Sequence, residues 1–277
     1  MIRLQLPLLI VLFCSTTLWG RSLPEAIETA KSIYSATTTV WGQTGHRVVG
    51  YLAESKLSRK ARRRINQILD GESLAFVSTF ADEIKSDDAF RKYGPWHYIN
   101  IPLDATYDPA NRTDQGDLAY GIEQCIAVLS DPKASRSDLQ FHLKLLVHLI
   151  GDLHQPFHIG REEDRGGNDI KISWFSSKSN LHRLWDSNLI DSYSMSYREL
   201  GDELLSQSSA KQIEMYAKGT YLDWIEDSHQ IVAELYSSVK PDERLAYRYS
   251  YDYNPVVFEQ LKKGGYRLAT LLNQIFD

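Results

Sequence analysis

Apolar positions recur at helical spacing over most of the chain from residue 41 onward. Tyr221, Ile225, Val232, Leu235 and Tyr236 share one helical face, as do Val257, Leu261, Leu268, Leu272 and Ile275. Two long amphipathic helices are therefore predicted to close the chain. Gly264-Gly265, inside the second, marks a close crossing with a neighbour. Ser58 can cap a helix over Arg59 to Leu69, and Ser137-Asp138-Leu139-Gln140 has the form of a capping box ahead of an apolar-rich segment ending at Leu153. The strand candidate is Asp169 to Phe175, entered through Arg165-Gly166-Gly167-Asn168 and left through a Ser-rich turn. With no internal repeat or low-complexity linker, the pattern predicts a single, mainly α domain over residues 41–277 with a small β-hairpin.

The first forty residues read differently. Arg3 supplies a positive start, and Leu6 to Trp19 form a mainly apolar stretch too short to span a bilayer. Residues 1–20 are read as an export signal, which implies a secreted or periplasmic protein. Residues 21–40 are a spacer or propeptide with a helix from Pro24 to Tyr34. No later segment approaches 18 consecutive apolar residues, so no membrane attachment is expected once the signal is removed. Cys14 lies in the signal and Cys125 is the other cysteine, so the mature chain has no internal disulfide to form.

Charge narrows the function. The formal net charge is −5, which excludes a basic protein that wraps nucleic acid through phosphate contacts alone. The basic run RKARRR at 59–64 is better read as a solvated helix face. Any anionic substrate must be drawn by something local.

The histidines supply that local chemistry. In HLIGDLHQPFH (148–158), His148 and Asp152 stand four residues apart and project from one helical face, and Pro156 ends the helix so that His158 can turn back. In LHRLWD (181–186), His182 and Asp186 repeat the spacing. One such pair is more often a surface hydrogen bond than a metal site. Two pairs and a loop histidine supply the imidazole and carboxylate ligands that zinc prefers, and favour a multinuclear site. His142 reads as a surface residue, and His154 as a partner that orients a ligand.

The landmarks WGQTGH (41–46), ADEIK (81–85), WHYINIP (96–102), HLIGDLHQPFH, GGN (166–168) and NLHRLWD (180–186) occur in one order. In that order the chain resembles the S-one/P-one family of single-strand-specific zinc nucleases, relatives of bacterial phospholipase C, from Trp41 to the C-terminus. The resemblance implies a three-zinc centre. Asp82, His97, His148 and Asp152 would hold the first ion, and His158, His182 and Asp186 the second. The third would take His46, the bridging Asp152 and Trp41, through its α-amine and carbonyl. That last ligand requires Trp41 to be the mature N-terminus, because a peptide nitrogen has no available lone pair. Three divalent ions would offset the acidic chain at one cleft.

By the same resemblance, Asp82, Lys85 and Asp152 are the catalytic residues, with Lys85 stabilising charge on the phosphoryl oxygens. Tyr98 and Asn100 would stack on and reach the edge of a base, and Ser187 would touch substrate. Ser187 stands where an Asn is usual in the family, and Asn100 stands for an Asp of fungal members. The implied activity is endonucleolytic cleavage of single-stranded DNA and RNA to 5′-phosphorylated products, with 3′-nucleotidase activity, by a monomer. The alternative is a phospholipase C-type phosphodiesterase. It is disfavoured because those enzymes close the second zinc site with Glu, where this chain has Asp186.

Overall fold

The computed structural model describes residues 42–277. The export signal at 1–20, the spacer at 21–40 with its helix, and Trp41 lie outside the described residues.

The chain opens with helices α1 (Gln43–Ser55), α2 (Arg59–Ile68), α3 (Leu74–Val77) and α4 (Phe80–Glu83). Short 3-10 turns at Ile84–Ser86 and Asp88–His97 lead into an extended stretch, followed by α5 (Leu118–Ser130) and α6 (Arg136–Leu153). After a 3-10 turn at Pro156–Ile159 comes the hairpin of β1 (Lys171–Trp174) and β2 (Ser177–Asn180). Helix α7 (Leu181–Arg183) runs through a π-helical turn at Leu184–Asn188 into α8 (Leu189–Ser192). Helices α9 (Tyr197–Ser206), α10 (Ala210–Tyr216) and α11 (Tyr221–Tyr236), strand β3 (Arg244–Leu245) and α12 (Tyr247–Phe276) complete the fold. The two closing helices are those that the apolar spacing predicts. The second starts ten residues before its apolar stripe and carries Pro255 inside it.

The hairpin gains a partner that the sequence pattern does not announce. β1 pairs antiparallel with β2, Ile172 opposite Ser179, and β3 pairs parallel with β1, Ser173 opposite Arg244. Cap residues also shift. Ser58 caps α2 as expected, whereas α6 is capped by Ser135, whose hydroxyl accepts from the Asp138 N–H, two residues ahead of the expected Ser137.

Two features of the packing fix the site. Helix α12 crosses α1 at Gly264 and Gly265, where a side chain would collide with Val49 and Leu52, so only glycine lets the axes approach this closely. Helix α6 is amphipathic only at its start, and every residue from Leu145 to Gly160 is buried. The apolar members of that run each contribute about 1.5–3 kcal/mol of burial. His148, Asp152 and His158 therefore sit in the core itself.

Candidate metal centre

The site is assembled from seven places in the chain. α1 supplies His46, α4 supplies Asp82, the 3-10 turn before the extended stretch ends in His97, and α6 brings His148 and Asp152 one turn apart. The Pro156 turn brings His158, α7 brings His182, and the π-helical turn brings Asp186. A π turn widens the backbone by one residue and is often found at functional sites. Here it aims Asp186 back at His182, with Oδ2 3.2 Å from Nε2.

Asp152 lies at the middle. Its Oδ2 is 2.8 Å from His97 Nδ1 and 3.1 Å from His148 Nε2, and its Oδ1 is 3.2 Å from His158 Nδ1 and 3.4 Å from His46 Nε2. His148 Nε2 is also 3.5 Å from Asp82 Oδ1, and His158 Nε2 is 3.3 Å from Asp186 Oδ1. Three sets have donor atoms close enough to hold an ion: His46, Asp82 and His148; His97, His148 and Asp152; and His158, His182 and Asp186. All eight sequence-predicted ligands within the described residues thus come together. A Cβ on Gly151 would sit 2.5 Å from His46 Nδ1, so the glycine of HLIGDLH makes room for that ring, which stacks on His148 with centroids 3.9 Å apart.

Backbone carbonyls set the ring tautomers. His148 Nδ1–H donates to Ser78 O, His158 Nδ1–H to His97 O and His182 Nδ1–H to Gly166 O, at 2.7, 2.8 and 2.7 Å. Each bond leaves an Nε2 lone pair facing a carboxylate, an arrangement assigned from the network. Oxygen and nitrogen lone pairs about 3.2 Å apart repel one another unless a cation lies between them. Consistently, Asp152 Oδ1, His158 Nε2 and Asp186 Oδ2 are buried and make no hydrogen bond among the described residues. Burial pushes His97 down to about 4, against the pull of Asp152, and burial together with His148 lowers His46. Burial would raise Asp152 and Asp186, but the imidazoles around them outweigh it and hold both below the ordinary carboxylate value. Burial would lower His148 and His158, but the carboxylates of Asp152, Asp82 and Asp186 around them raise both. Ionised carboxylates and unsatisfied buried lone pairs fit a cluster of divalent cations.

The residues that the resemblance assigns to substrate are placed as follows. Residues 98–101 run extended, with the Ile99 and Ile101 N–H groups donating to the carbonyls of His158 and Gly160. The isoleucines are buried while Tyr98 and Asn100 face solvent, as alternation requires. Lys85 Nζ lies 2.9 Å from Asp82 Oδ1. Ser187 is buried, its hydroxyl donating to Arg183 O at 3.4 Å and its Cβ against Gly42. Two second-layer residues change places relative to the sequence reading. His154 touches no ligand side chain; its Nδ1 meets Ile150 O and its Nε2 meets Arg267 of α12. Gln155, which the sequence reading passes over, donates its amide N–H to Asp186 Oδ1.

Comparison with known proteins bears on this geometry. The family model described as S1/P1 Nuclease matches residues 41–277. The chain is 32% identical over 268 residues to Endonuclease 2 of Arabidopsis thaliana, a match covering 85% of this chain and 90% of that protein. It is 30% identical over 287 residues to Nuclease S1 of Aspergillus oryzae, covering 92% and 98% of the two chains. With Nuclease P1 of Penicillium citrinum the identity is 28% over 267 residues, covering 85% and 97%.

Proposed function

The chain belongs to the S1/P1 nuclease family and is a nuclease; from that premise we propose an exported, three-zinc enzyme that cuts single-stranded DNA and RNA. Its products carry 5′-phosphates, and it also releases phosphate from 3′-nucleotides. The observation that carries this reading is the convergence of five imidazoles and three carboxylates on one buried point centred on Asp152.

The metals are assigned as follows. Asp82, His97, His148 and Asp152 hold one zinc, and His158, His182 and Asp186 hold a second. His46 and Asp152 hold a third together with the amine and carbonyl of Trp41 as the mature N-terminus. Support for Trp41 comes from its neighbour: Gly42 N–H donates to the backbone carbonyl of Asp186, and the family match begins at residue 41. Bound zinc supplies Lewis acidity toward phosphate and makes a coordinated water acidic near neutral pH.

The chain's own groups do the rest. Asp152 keeps two sites in register. The carbonyls of Ser78, His97 and Gly166 hold three imidazoles in the tautomer that leaves their Nε2 lone pairs facing the cluster. Lys85, half-exposed at the rim, stabilises the negative charge that develops on the phosphoryl oxygens. Tyr98, 46% exposed, offers its face to a base, which can stack there only after leaving a duplex. Asn100, next along the same side, reaches the base edge, and Ser187 contributes from beneath.

Export rests on residues 1–40, and among the described residues no helix is long and apolar enough to cross a membrane. The protein works as a monomer. Assaying purified protein against single-stranded DNA, a choline phospholipid and a 3′-mononucleotide tests the reading. Cleavage of the phospholipid alone would replace it with the phospholipase C alternative. N-terminal sequencing of exported, active protein tests Trp41, and full activity in a chain starting at Arg21 or earlier would overturn that ligand.

A further inference from the structure

Helix α2 carries RKARRR, with Ala61, Ile65 and Ile68 buried against the fold. Its outer cations differ from those that pair with acids elsewhere among the described residues. Arg136, Lys144, Arg161, Arg165, Arg248 and Arg267 each pair with an acidic side chain. The exposed side chains of Arg59, Lys60, Arg63 and Arg64 make no ion pair or hydrogen bond among the described residues, and α2 contains no acid. On a chain of formal charge −5, this is a compact patch of opposite sign.

The patch is also concave. Two adjoining open hollows of about 440 and 460 Å³ share Arg64, Gln67 and Leu139. Lys60, Arg63 and Ile275 line the first, and Asp131 is the one acidic residue among the linings of the two. Guanidinium groups over an apolar floor suit a phosphodiester chain, whose phosphates take the forks while sugars and bases lie against carbon. Helix α6 links this place to the metal centre, with Leu139 near its start and Asp152 near its end. At about 1.5 Å per residue the two are about 20 Å apart. A stacked strand advances about 3.4 Å per phosphate, so a strand running over the surface needs at least about six nucleotides to bridge the gap.

We propose that the outer face of α2 is a second binding site for the phosphodiester backbone of a long substrate strand, remote from the bond being cut. The proposal rests on the nuclease reading above. It makes the enzyme favour long polyanions over short ones through attraction that the acidic body of the protein otherwise lacks.

The test compares wild type with Lys60→Gln/Arg63→Gln/Arg64→Gln on a single strand of about twenty nucleotides and on a dinucleotide. The long strand should lose about tenfold in KM at low salt. Its slope of log KM against log salt should flatten by about 2, the value for three lost phosphate contacts on a single strand. Dinucleotide kinetics should not change, and Arg63→Lys/Arg64→Lys should keep most of the long-strand affinity because it keeps the charge. Equal losses on both substrates would overturn the site in favour of a structural role for α2. Unchanged long-strand KM and salt slope would overturn it outright. So would loss of binding to vesicles containing phosphatidylglycerol with nucleic-acid kinetics intact, which would assign the face to a lipid surface. A wild type inactive on both substrates would instead refute the nuclease reading.

Discussion

Replacing Asp152 with asparagine keeps the size of the side chain and removes its charge, and it should damage the protein twice. Asp152 is completely buried and lies within 3.4 Å of four imidazoles. In the three-zinc arrangement proposed above Asp152 is shared by two ions, so its loss should lower bound zinc by about two per chain, whereas His46→Ala and Asp186→Asn should each lower it by about one. Each catalytic ion is worth several kcal/mol, so turnover should fall by more than about 10³-fold, further than in either comparison variant. In metal-free protein a second effect appears. Breaking a buried ionic arrangement costs about 3–5 kcal/mol, which at about 2–4 °C per kcal/mol is a Tm drop of about 6–20 °C. Burial alone would raise this carboxyl, yet His148, His158 and His97 hold it well below 3.8. Its folded pKa is therefore depressed, so its contribution is present above 3.8 and lost as pH falls below that value. The Tm gap between wild type and Asp152→Asn should thus be full at neutral pH and close on acidification. Elemental analysis, turnover under saturating zinc and melting curves read all three quantities. Equal, mild losses in the three variants with zinc content unchanged would refute the bridge. An unchanged melting point of the metal-free variant would refute the buried ionic account.

Exhaustive chelation should abolish cleavage, and added zinc should restore it; full activity in chelator would remove the metal from the chemistry. The protein dialysed against metal-free buffer should retain three zinc ions, and a reproducible ratio of one or fewer would refute the cluster. Tyr98→Ala should cost about 1–3 kcal/mol in kcat/KM on single strands and erode the preference over duplex, since one base–aromatic stack is worth that much. A preference retained intact would remove the stacking role. Gln155→Ala should weaken one zinc site about 10–100-fold by freeing Asp186 Oδ1, with activity recovering at high zinc. Unchanged zinc affinity would show that Asp186 is held without it.

The parts of the site legible in the sequence are those whose geometry follows from chain periodicity. His148 and Asp152 are one helical turn apart, and Tyr98 and Asn100 alternate along an extended segment, so spacing alone places each pair on one side. His182 and Asp186 share the four-residue spacing, but the structure reaches it through a π-helical turn that no spacing announces. The residues that fix the imidazoles were hidden for a simpler reason. Their acceptors are the carbonyls of Ser78, His97 and Gly166, and a carbonyl is the same in every residue. His154 does not take the ligand-orienting place expected for it, because sequence neighbours on a helix point in different directions. Its ring bonds back to Ile150 O and so faces α12, where Arg267 meets it.

The deeper difficulty lies in the run from Leu145 to Gly160, buried on every side. An amphipathic helix advertises its inward face by contrast with its polar one, and a helix with no outward face has no contrast to show. In such a run the polar residues carry the information, because each must recover the cost of leaving water. Gly151, His148, Asp152, Gln155 and His158 are all in it. The glycine admits a ring, the glutamine holds a carboxylate, and His148 and His158 turn their Nε2 lone pairs toward Asp152 and Asp186 at distances too short for unpaired lone pairs. Gln155 could therefore have been found from the sequence once the segment was recognised as interior, since a buried amide beside two histidines and an aspartate needs a partner among them. Core and metal centre are one structure here, so metal loading and folding stability should rise and fall together.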